Sequence, residues 1–346
     1  MSSATKPTQK SALNIVMGAM TFGAPDKDGA RVTDLKDCAA ILDVFQSHGH
    51  CEVDTARVYV GGTSEEYLGK LDWQKRGLKM HTKLYPTFKS PVGATLPDAP
   101  QDISHTPESL RKHFFDSLKA LNTNHIDMFY LHGPDRNTPY EVTLKAVNDL
   151  YKEGYFDRFG ISNYTSWEVA EIVTLCRANG WIQPTAYQGI YNAIHRMVEP
   201  ELFPCLRKFG ISFYEFNPLG GGYLAGRYLS PDAPSEKGSR FDPDRPVGKL
   251  YRKRYFNDTY FRALQGIKAA GDKHGLTMAE IALRWVSHHS LMKREYGDSI
   301  IIGASSVKHI EQNLDDLEKG PLPEDVVQAV DEAWELVKPT CTTYHH

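Results

Sequence analysis

Short runs of apolar residues alternate along the chain with longer stretches in which apolar residues recur at helical spacing. The short runs are bounded by turn-forming residues and are predicted strands: Ile15–Met17, Cys51–Asp54, Lys79–Lys83, Ile126–His132, Phe159–Ser162, Thr185–Gln188, Ser212–Phe216 and Ser299–Gly303. The amphipathic stretches are predicted helices: Leu35–Gln46, Pro107–Leu121, Pro139–Lys152, Ser166–Ala178, Asp258–His274 and Val307–Leu314. Two further stretches, Thr277–His289 and Pro323–Val337, are predicted to be extra helices.

Eight strands alternating with about eight helices favour a (β/α)8 TIM barrel, since a doubly wound sheet usually has about six strands. We therefore predict an α/β protein in which residues 13–346 form one barrel domain after a disordered, polar arm at residues 1–12. Two long polar connections, Tyr85–His105 and Tyr228–Phe256, each follow a strand. They are predicted to be lid loops at the C-terminal face, where the active sites of such barrels lie.

The charge balance and the cysteines exclude several classes of protein. The 346 residues contain 40 Lys and Arg against 43 Asp and Glu, a net charge of −3. This balance indicates neither a nucleic-acid partner nor a membrane-surface partner, and no apolar run approaches the roughly 18 residues of a transmembrane helix. The five cysteines are scattered without a C-x-x-C pair, so we predict reduced thiols, a cytoplasmic location and no metal site. The oligomeric state stays open, a homo-oligomer included.

Residues capable of chemistry stand at the ends of three successive predicted strands. Asp54 ends the second strand and Tyr59 follows it, Lys83 ends the third, and His132 ends the fourth. Because parallel strands end at the same face of a barrel, these four side chains should converge. Each alone has an ordinary structural explanation, such as packing or capping. For the four residues taken together, packing or capping is a weaker explanation, because a buried Lys and a buried Asp must pair.

Such a group could reduce a carbonyl. A carbonyl that accepts a hydride also needs a proton on its oxygen, which Tyr59 can donate. The ammonium of Lys83, held by Asp54, would lower the tyrosine pKa from its usual value near about 10. His132 could orient the carbonyl oxygen beside the tyrosine hydroxyl. The hydride would come from a nicotinamide cofactor.

Two other motifs imitate dehydrogenase signatures. Gly220–Ala225 matches G-x-G-x-x-A, but the residues between Ser230 and Arg254 hold no second strand to bring an acidic residue to a ribose. We therefore predict a loose glycine-rich loop around phosphates at the barrel mouth. Tyr85–Lys89 has the Tyr-x3-Lys spacing of short-chain dehydrogenases, but Pro86 interrupts the helix that this motif needs.

The chain as a whole resembles the aldo-keto reductase superfamily, over about residues 14–313. Asp54, Tyr59, Lys83 and His132 match its catalytic tetrad. Further motifs follow in family order: Gly160–Tyr164, Tyr187–Asn192, Phe216–Gly222, Gly226–Tyr228, Gly303–Ser306 and Glu311–Asn313. The Tyr-Gln-Gly-x-Tyr-Asn motif, the Asn-Pro-Leu-Gly-Gly-Gly motif and the run Tyr251–Tyr255 make the aflatoxin-aldehyde reductase subfamily the most similar.

The resemblance implies reduction of aldehydes, with ketones as further candidates, and NADPH as the cofactor. Tyr59 would donate the proton, Lys83 would lower its pKa, and His132 would contact the substrate carbonyl. The implied NADPH-binding residues are Asp54, Ser162, Asn163, Gln188, Phe216, Asn217, Pro218, Leu219, Gly220, Gly221, Gly222, Arg227, Arg240, Ser305, Ser306, Gln312 and Asn313. Tyr251 and Arg254 match substrate-side positions on the second lid loop. The chain end, Tyr344-His345-His346, lacks the Arg that often ends members of this subfamily.

A second hypothesis from a different class stays open. The β-subunits of potassium channels resemble the same superfamily, bind its cofactor and act through protein contacts. The presence of Asp54, Tyr59, Lys83 and His132 together favours an enzyme with a small carbonyl substrate, because a scaffold would not need all four. Turnover with a panel of aldehydes distinguishes the two hypotheses.

Overall fold

Eight parallel strands close into a barrel in chain order in the computed structural model, which describes residues 8–346. Each strand pairs with the next, and β8 pairs with β1. The strands are β1 (Asn14–Gly18), β2 (Glu52–Asp54), β3 (Lys79–Leu84), β4 (Ile126–Leu131), β5 (Phe156–Ser162), β6 (Pro184–Ile190), β7 (Ser212–Phe216) and β8 (Ser299–Gly303). The predicted (β/α)8 barrel is confirmed.

Helices connect the strands on the outside of the barrel. They are α1 (Leu35–Ser47), α2 (Thr63–Gly69), α3 (Pro107–Ala120), α4 (Tyr140–Lys152), α5 (Ser166–Asn179), α6 (Leu202–Phe209), α7 (Pro246–Tyr255), α8 (Asp258–Asp272), α9 (Met278–His288), α10 (Val307–Leu317) and α11 (Glu324–Val337). The prediction omitted α2, α6 and α7. The first two have seven and eight residues, too few for a helical period to show.

Three helices lie between β7 and β8. Of these, α8 packs against α11 outside the ring, whereas α9 lies beside α10, which in turn lies beside α1. We predicted Thr277–His289 as an extra helix and Asp258–His274 as a helix of the ring around the barrel. In the structure the first stretch forms the ring helix α9, and the second forms the extra helix α8. Both stretches are amphipathic, so their periodicity could not indicate which of them packs on the barrel.

The core has two parts. A small cluster fills the barrel interior, and a larger one fills the layer between strands and helices. The interior cluster consists of Val16, Met128, Tyr130, Ala186, Tyr214 and Ile301. These side chains fill the inside of the barrel, and their packing holds the strands in place relative to one another.

The first residues of the chain are predicted to form a disordered arm, residues 1–12. Residues 1–7 of the predicted arm lie outside the described residues. Within residues 8–12 the backbone is held by Arg294, which donates hydrogen bonds to the carbonyls of Ser11 at 2.7 Å and Ala12 at 3.0 Å. None of the helices within residues 8–346 combines the length and the apolar character that a bilayer span requires.

Candidate active site

A buried ion pair occupies the C-terminal ends of β2 and β3. Nζ of Lys83 donates hydrogen bonds to Asp54 Oδ2 and to the Thr55 carbonyl, both at 2.6 Å. From β6, Nε2 of Gln188 donates to the other Asp54 oxygen at 2.8 Å. Lys83 is 0% exposed and Asp54 2% exposed. The predicted pairing of a buried Lys with a buried Asp is therefore present, and Gln188 completes the shell around the carboxylate.

Tyr59 and His132 lie directly beside this pair. The Lys83 Nζ is 4.7 Å from the centroid of the Tyr59 ring. The rings of Tyr59 and His132 meet edge to face, with 5.5 Å between centroids. Val60 has a left-handed φ of 50°, so the chain turns sharply just after Tyr59. All four predicted catalytic residues are thus brought together.

Burial sets the protonation states at this site. It raises the pKa of Tyr59 well above its usual value; the Asp54 carboxylate adds to this effect and Arg240 opposes it. The pKa of Tyr59 is therefore raised, whereas we expected Lys83 to lower it, and this expectation was wrong. The Lys83 ammonium is already paired with Asp54 at 2.6 Å, which weakens its effect on the tyrosine. Burial also lowers the pKa of Lys83 and, well below its usual value, that of His132. Tyr59 therefore keeps its proton and His132 is neutral at neutral pH.

A cleft with two overlapping lobes opens above these residues. The first, of about 580 Å³, extends toward Ser305, Gln312 and Asn313 and is called the α10 lobe here. The second, of about 440 Å³, extends toward Gln188 and the last residues of the chain and is called the tail lobe. Tyr59 and His132 line both lobes, so the two spaces meet at the predicted catalytic residues.

Most of the predicted cofactor-binding residues line this cleft. They are Asp54, Asn163, Gln188, Phe216, Asn217, Pro218, Leu219, Gly221, Gly222, Arg227, Arg240, Ser305, Gln312 and Asn313. Three others, Ser162, Gly220 and Ser306, are not among the residues that line it. Ser306 is used within its own helix, because its hydroxyl accepts the backbone N–H of His309 at 3.3 Å and caps α10.

The glycine-rich turn after β7 has a specific packing reason. A Cβ added to Gly221 would lie 2.3 Å from the ring of Tyr251, which backs the turn from α7. Asn217 donates a hydrogen bond to the Tyr251 hydroxyl at 2.9 Å. Tyr251 therefore supports the turn as well as lining the tail lobe. The turn leads into the second lid loop rather than into a βαβ unit, which agrees with our rejection of a Rossmann fold.

Arg254, the other predicted substrate-side residue, lines the tail lobe from the last turn of α7. Its Nε is buried without a hydrogen-bond partner. Within the described part of the chain, no acidic side chain lies at ion-pair distance from it. The guanidinium carbon is 5.7 Å from the Tyr251 ring and 6.0 Å from that of Tyr255. Arg254 is thus a cation held against aromatic rings, with its charge left uncompensated.

The chain end contributes residues that the sequence analysis did not place in the site. His346 lines both lobes, and its Nδ1 lies 3.2 Å from the Tyr85 hydroxyl. Its backbone N–H donates to the Asn163 carbonyl at 3.1 Å. Burial and the nearby Arg254 lower the pKa of His346 to about 4. Tyr85, at 5.5 Å from His132 between ring centroids, was interpreted only as part of a false motif. No sequence signal indicates this contact of the tail.

The barrel, the buried Lys–Asp pair and the adjacent tyrosine and histidine define a class of carbonyl-reducing barrel enzymes. The sequence profile of the aldo/keto reductase family matches residues 14–335, and the chain belongs to this family. An aldo-keto reductase of Pseudocercospora fijiensis is 54% identical over 88% of this chain and 99% of its own. Aldo-keto reductase pigE of Monascus ruber is 46% identical over 97% of this chain and 98% of its own. Human aflatoxin B1 aldehyde reductase member 4 is 40% identical over 95% of this chain and 96% of its own. The chain is therefore an oxidoreductase of carbonyl compounds by class.

Proposed function

We propose that this protein reduces aldehydes, and ketones as further candidates, to alcohols with NADPH, and that Tyr59 donates the proton. The observation that carries the proposal is the meeting of Tyr59, His132 and the Lys83–Asp54 pair at the junction of the two lobes. The relatives named as aldehyde reductases support the substrate class. We further propose that residues 13–346 form a single cytoplasmic domain.

The cleft fits a dinucleotide. Gly222 has a φ of 102° and lines both lobes, and a Cβ added there would meet no atom within 4 Å. The backbone thus leaves open space where a ligand could approach. Arg240 faces the same space and has no acidic partner among residues 8–346; it donates weakly to Asn217 Oδ1 at 3.4 Å. An uncompensated cation beside open backbone is suited to a phosphate.

The cofactor, when bound, supplies the hydride. The chain's own residues supply the proton and the orientation. Tyr59 is protonated throughout the neutral range because burial raises its pKa, so its hydroxyl can donate to the carbonyl oxygen. His132 is neutral and can donate one ring N–H to the same oxygen. The Lys83 ammonium, 4.7 Å from the Tyr59 ring, stabilises the negative charge that the tyrosine develops on losing its proton.

Replacing Tyr59 tests this mechanism. Tyr59→Phe removes the hydroxyl and keeps the ring beside His132. We expect NADPH to bind with nearly unchanged affinity and aldehyde reduction to slow by roughly 10²–10⁴-fold, the usual contribution of a general acid. Reduction is followed as loss of nicotinamide absorbance with a panel of aldehydes, and binding by quenching of tryptophan fluorescence.

The control is Tyr85→Phe, which removes a second phenol near His132 that the mechanism does not use. It should retain most of the turnover. Wild-type reduction by Tyr59→Phe would refute the role of Tyr59. A wild-type protein that binds NADPH yet reduces no aldehyde or ketone would instead favour a cofactor-binding partner protein, like the potassium-channel β-subunits.

A further inference from the structure

A carboxylate from the second lid loop lies between two arginines in the lining of the α10 lobe. Glu236 Oε1 is 2.5 Å from Nη2 of Arg31, and its Oε2 is 3.1 Å from Nη1 of Arg227. Arg31 belongs to the connection after β1, and Arg227 follows the glycine-rich turn after β7. All three side chains line the α10 lobe. A single carboxylate therefore joins cations from two different connections of the barrel.

The groups around this carboxylate are suited to an anion. Ser305 and His309 line the same part of the lobe, with 2.9 Å between Ser305 Oγ and His309 Nδ1. The pKa of His309 is lowered by burial and by the positive charges of its neighbours, above all Arg227, while Glu236 opposes that effect. Of the other acidic side chains that line this lobe, Asp28 pairs with Arg245 and Asp98 with Lys27, whereas Glu236 lies between Arg31 and Arg227.

The contact of Glu236 is exposed, and the lid loop is fastened elsewhere. The Glu236 side chain is 49% exposed, that of Arg227 57% and that of Arg31 27%, and ion pairs between exposed side chains contribute little to stability. Arg245, by contrast, pairs with Asp28 at 2.5 Å, with both side chains less than a quarter exposed, and also donates to the Gly238 carbonyl. Loss of the Glu236 contact should therefore leave the lid loop in place.

We propose that Arg31 and Arg227 form a phosphate-monoester site and that Glu236 occupies it in place of the anion. The inference rests on the proposed function and deepens it, since the ligand would be the 2′-phosphate of NADPH. A phosphate monoester carries about −1.5 to −2 charges and three acceptor oxygens, so it can displace a carboxylate that is only weakly held. Arg31 and Glu236 then determine the choice between NADPH and NADH.

Binding measurements without a carbonyl substrate test the site. Titration calorimetry of the full chain compares 2′,5′-ADP, which carries the 2′-phosphate, with 5′-ADP, which carries only the pyrophosphate that NADH also has. We expect Glu236→Gln to bind 2′,5′-ADP and NADPH about threefold to tenfold more tightly, the order expected when a competing exposed ion pair is released. Binding of 5′-ADP and NADH should not change. Arg31→Met should weaken 2′,5′-ADP by about tenfold or more and spare 5′-ADP.

Asp232→Asn is the matched control, because it removes the same charge from an exposed position of the same lid loop. It should leave all four affinities unchanged. If Glu236→Gln weakens every nucleotide, Glu236 fastens the lid and the inference is wrong. Unchanged affinities in Glu236→Gln, or an equal gain in Asp232→Asn, would also refute it. A wild-type protein that binds none of the four ligands would overturn the proposed function itself, which is a separate outcome.

Discussion

Replacing Lys83 with Met should damage stability and catalysis for different reasons. The substitution keeps the length of the side chain but leaves the Asp54 carboxylate buried without its cation, 2% exposed. Removing one partner of a buried ion pair typically costs about 3–5 kcal/mol. For a chain of 346 residues that corresponds to a fall in Tm of roughly 4–7 °C. Turnover should also fall, because the charge next to Tyr59 is lost.

The double variant Asp54→Asn/Lys83→Met separates the two effects. Asn at position 54 is neutral and can still accept the hydrogen bond that Gln188 donates at 2.8 Å. The uncompensated charge is therefore gone, and we expect the double variant to recover at least half of the lost stability. It should not recover turnover, since the ammonium is still absent.

Thermal unfolding followed by circular dichroism gives the stability of wild type and variants. Single-turnover reduction of one aldehyde at saturating NADPH gives the rate of the chemical step. In both variants this rate should fall by about 10²-fold or more, the scale of losing one electrostatic contact to the developing charge. If the double variant regains turnover in step with its Tm, Lys83 serves only the fold, and the catalytic argument is wrong.

Two further predictions concern ionisable side chains, Arg254 and Glu215, that have no oppositely charged partner among the described residues. Arg254→Ala should raise KM about 10–100-fold for an aldehyde bearing a carboxylate and little for its neutral analogue, the worth of one charge-assisted hydrogen bond. Arg252→Ala, whose guanidinium stacks on Phe256 at 4.0 Å, is the control, and equal changes for both substrates would refute binding by Arg254. Glu215, on β7, is buried with both oxygens unpartnered, and burial raises its pKa well above its usual value. It is protonated in the folded state, so stability should fall as pH rises above about 4, by up to roughly 1.4 kcal/mol per unit. Glu215→Gln should remove this slope in Tm measured from low to neutral pH, and parallel curves would contradict the assignment.

The strand ends were predictable because topology determines where they lie. Once eight strands alternate with helices, Asp54, Lys83 and His132 must project from neighbouring strands at one face. The pattern also predicted that a buried Lys and Asp would pair, and they do so at 2.6 Å. It did not predict the direction of the Tyr59 pKa, since desolvation depends on how deeply the folded chain buries the ring.

The remaining parts of the site come from segments without periodicity. The second lid loop was interpreted as a polar connection, although it carries α7 and the aromatic side chains that hold it down. Tyr223 and Tyr255 stack at 5.1 Å between centroids, a contact between residues 32 positions apart. Likewise, the contact of His346 with Tyr85 spans 261 positions. Spacing along the chain carries no information about such encounters.

Residues at the strand ends and residues on the connecting segments have different roles in this cleft: the first carry out the chemistry, and the second determine selectivity. The groups that move or stabilise the proton stand on or just after strands, where the packed barrel interior holds them rigidly. Arg31, Glu236, Arg254 and His346 reach the cleft from connections, the lid and the chain end, which can differ without disturbing the barrel. Changes near strand ends should therefore act mainly on the rate of the chemical step. Changes in the connecting segments should act mainly on KM for the carbonyl or Kd for the cofactor, because they alter contacts with groups remote from the transferred proton.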